Sequence, residues 1–423
     1  MNLTNETYSQ NISMFQCGPE LDHFHQEYVK MHGWLSLLVC IFGSIANTLN
    51  IMVLTRREMI SPTNYILTGL AVADLLVMLE YIPYASHMYL YHRPRKDMYT
   101  YGWAVFVLVH SIFTQIFHTI SIGLTVTLAI WRFIAVAYPR RNNEWCSIKR
   151  TVLTILGTYL ICPLICLPVY FTTKVRSTQE LFDPNDNLTN SSLYNSTELK
   201  VNQTLWFVDL SDTMKANSLL NLLNFCMYSV VIKLIPCIAL TILSLRLIKA
   251  LMDTKKRRKL LINATLVRKT DDKVRDSSCD VKKSKKKSAK AIDKQRQTDR
   301  TTKMLLAVLL LFLLTEFPQG VLGLLSVILG SGFFRTCYVK LGEMMDVLAL
   351  INSAINFILY CAMSRQFRMT FSQLFCRWKL FGRWTPVPQR LENNGHTATT
   401  HTMTQVTQNV ETSNTQRGAM RST

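Results

Sequence analysis

Glu80, Glu316 and Asp346 stand inside long apolar stretches of this sequence. An ionised carboxylate at such a place is costly and is a candidate for function. Tyr81 and Tyr84 follow Glu80, His118 comes with Thr114 and Gln115, Gln319 lies just after Glu316, and Glu343 precedes Asp346. Carboxylates beside aromatic rings suit a ligand that carries a guanidinium and a ring, because a carboxylate accepts the guanidinium fork and the ring finds an aromatic wall. Glu80 and Glu316 have a second reading, as protonated or His118-paired members of a purely structural network. Two further ionisable residues lie apart from this set. Asp74 is buried in one apolar stretch, and Arg132 ends another, where a long and permanently charged side chain can snorkel toward water. His110 and His118 have no partners at metal-ligand spacing, so no metal, cofactor or metal-dependent enzyme activity is expected.

The elements that position these residues must be helices. The chain has 423 residues, 49% of them apolar, gathered into blocks such as Trp34 to Leu54, Thr151 to Phe171, Leu219 to Leu243 and Met304 to Leu329. Each block reaches the roughly 20 residues that a helix needs to cross a bilayer. Tyr65 to Leu90, Trp103 to Val136 and Tyr338 to Met363 are nearly as apolar and carry the polar residues named above. Lipid leaves no backbone amide a partner outside its own segment, so the blocks are helical and Pro83, Pro163, Pro168, Pro236 and Pro318 are local kinks. The predicted fold is all-α: a seven-transmembrane helix bundle over residues 34–363, with a short amphipathic eighth helix on the membrane surface over 364–377. The spans are expected near 34–56, 63–90, 101–137, 149–171, 218–251, 300–329 and 338–363. Residues 1–33 form a polar amino terminus without signal-peptide features, so the first span is expected to target the chain. Residues 378–423 form a polar tail, rich in Thr, expected to be disordered and open to kinases.

Sidedness has two independent signals. Asn-X-Ser/Thr sequons at Asn2, Asn5 and Asn11 and at Asn187, Asn190, Asn195 and Asn202 fall on two regions that seven spans put on one side, marking it as extracellular if glycans are attached. Much of the net charge of +20 lies in the basic segment from Met252 to Arg300, which the positive-inside rule makes cytoplasmic. Nucleic-acid binding is the rival reading of such a run; in a membrane protein, anionic lipid and an acidic cytosolic partner take precedence. A multi-pass plasma-membrane protein with its carboxyl terminus inside is the expectation. Cys17 and Cys337 both face the oxidising side, where pairing is open to them. Cys376 follows the surface helix and is a candidate for palmitoylation.

Further motifs stand in the spans in order: Gly43-Ser-Ile-Ala-Asn47, Leu70-Ala-Val-Ala-Asp74, Trp131-Arg132-Phe133, Phe312 ahead of Pro318, Asn352-Ser353, and Asn356-Phe-Ile-Leu-Tyr360. In order and spacing these resemble the signatures of rhodopsin-like (class A) G-protein-coupled receptors, from roughly Trp34 to Cys376. Within that family the sequence looks most like invertebrate FMRFamide-like and myosuppressin neuropeptide receptors. Ser61-Pro-Thr-Asn-Tyr-Ile-Leu-Thr-Gly-Leu70, Tyr228-Ser-Val-Val-Ile-Lys-Leu-Ile-Pro236 and Gln297-Thr-Asp-Arg-Thr-Thr-Lys-Met304 carry that closer likeness.

The resemblance implies an extracellular peptide ligand, a heterotrimeric G protein with Gi/o as a candidate subtype, receptor kinases and arrestin. It places Ser121, Asn352, Ser353 and Asn356 beside Asp74, holding a sodium ion or a water cluster. A proton-sharing hydrogen-bond hub without an ion is the alternative. Arg132 matches the arginine that meets the G protein, and Ile122, Pro236 and Phe312 match a packing trio that resets as the sixth helix swings outward. Pro318 and Tyr360 match further activation positions. An Arg-Phe-amide peptide would set its guanidinium on Glu80, Glu316 or Asp346 and its aromatic ring against Tyr81 and Tyr84, with Gln115 and His118 completing the pocket. Trp131 stands where the family has an acid, Glu316 where it has a tryptophan, and Phe357 where it has a proline. The usual third-helix cysteine has no clear counterpart. A lipid or other small ligand is a second reading, and a transporter a third, although no two related halves are evident.

Overall fold

The computed structural model describes residues 16–91, 94–182, 201–271, 306–307, 309–330 and 332–375. Asn2, Asn5, Asn11, Asn187, Asn190, Asn195, Cys376 and the tail from 378 lie outside those residues. Among the described residues, seven helices are long and apolar enough to cross a membrane: α1 (Pro19–Leu54), α2 (Pro62–Leu90), α3 (Tyr101–Ala137), α4 (Ile148–Thr172), α5 (Leu222–Thr254), α6 (Leu309–Gly330) and α7 (Phe334–Ala362). A short helix α8 (Arg365–Phe375) follows.

Local chemistry sets the ends. Pro19 and Pro62 open α1 and α2 in the first turn, where no amide donor is needed. Ser61, Thr100 and Ser147 cap α2, α3 and α4 by accepting from the backbone amides of Asn64, Trp103 and Arg150. Gly330 takes a φ of 81° at the end of α6, a left-handed conformation that suits glycine. The first helix begins well ahead of the apolar block at Trp34, because Pro19, Glu20 and Asp22 make a favourable helix start. This polar extension lies on the beginning of α7. Cys17 and Cys337 are disulfide-bonded, with α-carbons 5.6 Å apart. Lys340 pairs with Asp22, and His25 meets Glu343 at 3.4 Å.

The one departure from all-α structure among the described residues is a two-stranded antiparallel hairpin between α4 and α5. Strand β1 (Thr173–Phe182) pairs with β2 (Val201–Leu210), Thr173 opposite Leu210 and Phe182 opposite Val201. Val, Thr, Trp and Phe in these strands favour the extended form. Leu205 is buried, and the Trp206 amide donates to the Tyr99 carbonyl at 2.8 Å.

The apolar residues divide between the inside of the bundle and its outer face. Leu67, Leu70, Ile120, Leu124, Leu128, Tyr360 and Phe367 make one buried cluster, joining α2, α3, α7 and α8. Ile122, Ala129, Cys237, Leu240, Leu309 and Phe312 make another, joining α3, α5 and α6. Leu38, Leu153, Leu160 and Leu245 are exposed on the outer faces, which is the pattern of helices solvated by lipid.

Candidate ligand cavity and polar core

A cavity of about 260 Å³ opens between α2, α3, α5, α6 and α7. Tyr81 and Tyr84 line it from α2, His110, Thr114, Gln115 and His118 from α3, Tyr228 and Lys233 from α5, Gln319 from α6, and Asp346, Leu350 and Ser353 from α7.

Two of the three carboxylates expected there are already engaged. Both oxygens of Glu80 lie within 2.7 Å of His110 Nδ1, and the Thr114 hydroxyl donates to one at 3.1 Å. The His110 ring in turn stacks on Tyr84, centroids 3.9 Å apart. Glu316 is fully buried and accepts from the Lys233 ammonium at 2.5 Å, with His118 Nε2 at 3.1 Å. Neither Glu80 nor Glu316 lines the cavity. Asp346 does: its side chain is exposed at the cavity and has no hydrogen-bond or ion-pair partner among the described residues. Tyr81 is held by His32, its hydroxyl 3.3 Å from Nε2, and its ring packs edge-on against Tyr84 and His110.

Lys233 is the residue that sequence reading passed over. Its signal was present, as a lone cation within the apolar run Leu219 to Leu243. Residues Met227–Leu234 are wound as π-helical turns just before Pro236, which has no amide proton to give. The wider winding shifts the side-chain register there. The ammonium is turned inward and meets Glu316, Gln319 Oε1 at 3.0 Å and His118 Nε2 at 2.8 Å. Gln319 donates to the Tyr228 hydroxyl at 3.1 Å. Gly320 and Gly323 let α6 come this close: a β-carbon on Gly323 would sit 2.2 Å from the Ser229 hydroxyl oxygen, and one on Gly320 3.2 Å from Lys233 Cβ.

Below the cavity, Asp74 accepts from the Ser121 hydroxyl at 2.9 Å and from Asn356 Nδ2 at 3.3 Å, and Ser353 also reaches it. No hydrogen bond joins Asn352 to it among the described residues. Asn47 donates to the carbonyls of Gly43 and Ser353 at 3.0 and 3.1 Å, tying α1 to α7. Ser353 therefore belongs both to the cavity lining and to the Asp74 cluster. Asn50, which the sequence did not single out, is fully buried with neither end of its amide paired among the described residues.

Ile122 and Phe312 share a buried cluster with Ile232 and Cys237, on either side of Pro236. Pro318 lies within α6, and Tyr360 packs against Phe367, centroids 5.7 Å apart. Arg132 lies near the end of α3, its Nε unpaired among the described residues. The neighbouring Trp131 donates from its indole to the Thr151 hydroxyl at 3.0 Å, so it anchors α3 to α4 and offers Arg132 no counter-charge. Asn202 is exposed on β2 and donates to Gln179 at 2.9 Å.

A model of the serpentine-type 7TM GPCR chemoreceptor Srw family matches residues 34–277 and 279–378. The chain is also similar to the G-protein coupled receptor dmsr-1 of Caenorhabditis elegans, 28% identical over 360 residues that cover 82% of this chain and 68% of that protein. The sex peptide receptor of Drosophila melanogaster is 28% identical over 359 residues, 82% of this chain and 73% of that protein. The FMRFamide receptor of Drosophila melanogaster is 23% identical over 360 residues, 82% and 54% respectively.

Proposed function

The chain belongs to the serpentine-type seven-transmembrane G-protein-coupled receptors, and from that membership we propose that it is the receptor for an extracellular Arg-Phe-amide neuropeptide of the FMRFamide or myosuppressin type, signalling through Gi/o. A rhodopsin-like neuropeptide receptor in the membrane, not an enzyme, is what its family and relatives support.

The observation that carries the finer reading is the free carboxylate of Asp346 in a cavity walled by Tyr81 and Tyr84. A guanidinium entering there finds one unpaired anion, since His110 and Thr114 hold Glu80, and Lys233 and His118 hold Glu316. The peptide's aromatic ring then lies against the tyrosines, with Gln115 and His118 beneath. Binding shifts the population only if the peptide prefers the active packing. That preference reaches the cytosolic end through Ile122, Pro236 and Phe312, so that α6 moves and Arg132 meets the G protein. Asp74, Ser121 and Ser353 supply oxygens that suit a sodium ion, which would steady α2, α3 and α7 in the silent packing. The amino terminus and the hairpin lie outside the cell in this reading, with glycans on the sequons. Cys376 and α8 lie on the inner lipid surface, and the Thr-rich tail meets receptor kinases and arrestin.

The test is nucleotide exchange in cells expressing the receptor, challenged with amidated peptides beginning with Phe-Leu-Arg-Phe-amide. Asp346→Arg should abolish the response, and a peptide with Glu in place of its Arg should restore it. No rescue at Asp346, Glu80 or Glu316 removes this site.

A further inference from the structure

Three polar residues stand one helical turn from the packing trio, on the same three helices. His118 precedes Ile122 by four residues on α3, Lys233 precedes Pro236 by three on α5, and Glu316 follows Phe312 by four on α6. With α3 and α5 running one way and α6 the other, all three offsets lead toward the cavity, which His118 and Lys233 line directly. The polar set is thus a layer between the cavity and the trio.

Its hydrogen bonding is incompletely satisfied. An ammonium has three donors. Those of Lys233 are matched by Glu316 Oε2, Gln319 Oε1 and His118 Nε2. His118 Nε2 also lies 3.1 Å from Glu316 Oε2. One ring nitrogen cannot both accept from Lys233 and donate to Glu316, so the layer has two arrangements of its proton. Glu316 Oε1 has no partner among the described residues, although the residue is fully buried. A buried acceptor left unpaired weakens the arrangement that strands it. At the cytosolic end of α3, Trp131 provides Arg132 with no ionic restraint.

We propose that Lys233 is the positioning residue that couples the cavity to the packing trio, its contacts with Glu316, Gln319 and His118 holding α6 against α3 and α5 in the silent state. A hydrogen-bond acceptor on the ligand that takes one Lys233 donor loosens that layer, and the trio below it resets. The coupling rests on the reading of the cavity as the ligand site, whereas its test needs no ligand and so stands or falls separately from the peptide's identity.

Lys233→Met alone leaves Glu316 buried without its cation, which threatens folding. The deciding variants are the doubly neutral Lys233→Met with Glu316→Gln and the exchanged pair Lys233→Glu with Glu316→Lys. Both are compared with wild type for ligand-free nucleotide exchange at matched surface expression. The neutral pair is expected to raise basal exchange at least threefold, and the exchanged pair to return it to within twofold of wild type. Basal exchange that does not rise in the neutral pair, or that stays high in the exchanged pair, overturns the coupling. Failure of the neutral pair to reach the surface also overturns it, since the charges then serve folding.

Discussion

Among the described residues Asp346 keeps both carboxylate oxygens free, where the neighbouring carboxylates have partners within 3.1 Å. An anion held by fixed side chains has little left to offer a ligand, whereas an unpaired one can make the full charge-assisted contact. Such a hydrogen bond is worth about 1.5–3 kcal/mol. Asp346→Asn is therefore expected to lower the potency of an arginine-bearing peptide by roughly 10- to 100-fold at matched surface expression, at about 1.4 kcal/mol per tenfold. Glu80→Gln should shift potency less, because it disturbs His110 and Thr114 rather than the ligand; equal shifts in the concentration–response curves would place the cation elsewhere. Phe312→Ala belongs to the same scale. It removes a buried ring from the trio and should change basal or agonist-driven exchange without changing peptide affinity by as much as Asp346→Asn.

Helices α5 and α6 meet through the smallest residues available. Gly323 faces Ser229, whose hydroxyl has no partner among the described residues, and Gly320 faces Lys233 and Leu234. Gly323→Leu is too large to be met by rotating the Ser229 hydroxyl alone. Overpacking of this kind costs about 1–3 kcal/mol. The expected result is a lower melting temperature in detergent, partly restored by adding Ser229→Gly. The hairpin answers to a different force. At its base Arg176, Lys174 and Lys215 gather around Asp209 and Asp212. The hydrogen bond from Lys215 holds the Asp209 carboxyl below its ordinary value of 3.8. A carboxylate so depressed contributes its stability fully above about pH 4 and loses it as pH falls through the lower folded value. The cluster is exposed, so the contribution stays under about 1 kcal/mol. Thermal scans between pH 5 and pH 3 should show a small destabilisation that Asp209→Asn removes.

Across the whole molecule, the bond between Cys17 and Cys337 joins positions 320 residues apart and fixes the amino-terminal extension to the start of α7. The Lys340 pair with Asp22 and the contact of His25 with Glu343 lie alongside it. Loss of a native disulfide typically costs about 2–5 kcal/mol. Cys17→Ser and Cys337→Ser should each lower thermal stability and surface delivery, and the double variant should be no worse than either. A double variant clearly worse than both singles would show that the two thiols act separately. Because Glu343 lies one turn from Asp346 on α7, the same variants are expected to weaken peptide potency as well.

The seven spans, their prolines, the Asp74 cluster and the candidate carboxylates were legible in the sequence. Lipid admits only backbone paired within its own segment and makes every buried charge conspicuous. The helical start at Pro19 was also written locally, in a proline followed by acids, although hydropathy gives it no weight. Pairing was not legible. Which carboxylate is free depends on whether a histidine or lysine from another helix arrives within about 3 Å, and the sequence separations involved, 30 residues for Glu80 with His110 and 83 for Lys233 with Glu316, carry no register. The π-helical winding before Pro236 and the close approach at Gly320 and Gly323 decide that Lys233 points inward. Only the packed bundle, where those helices meet, separates the carboxylate with no partner among the described residues from those held by a histidine or a lysine.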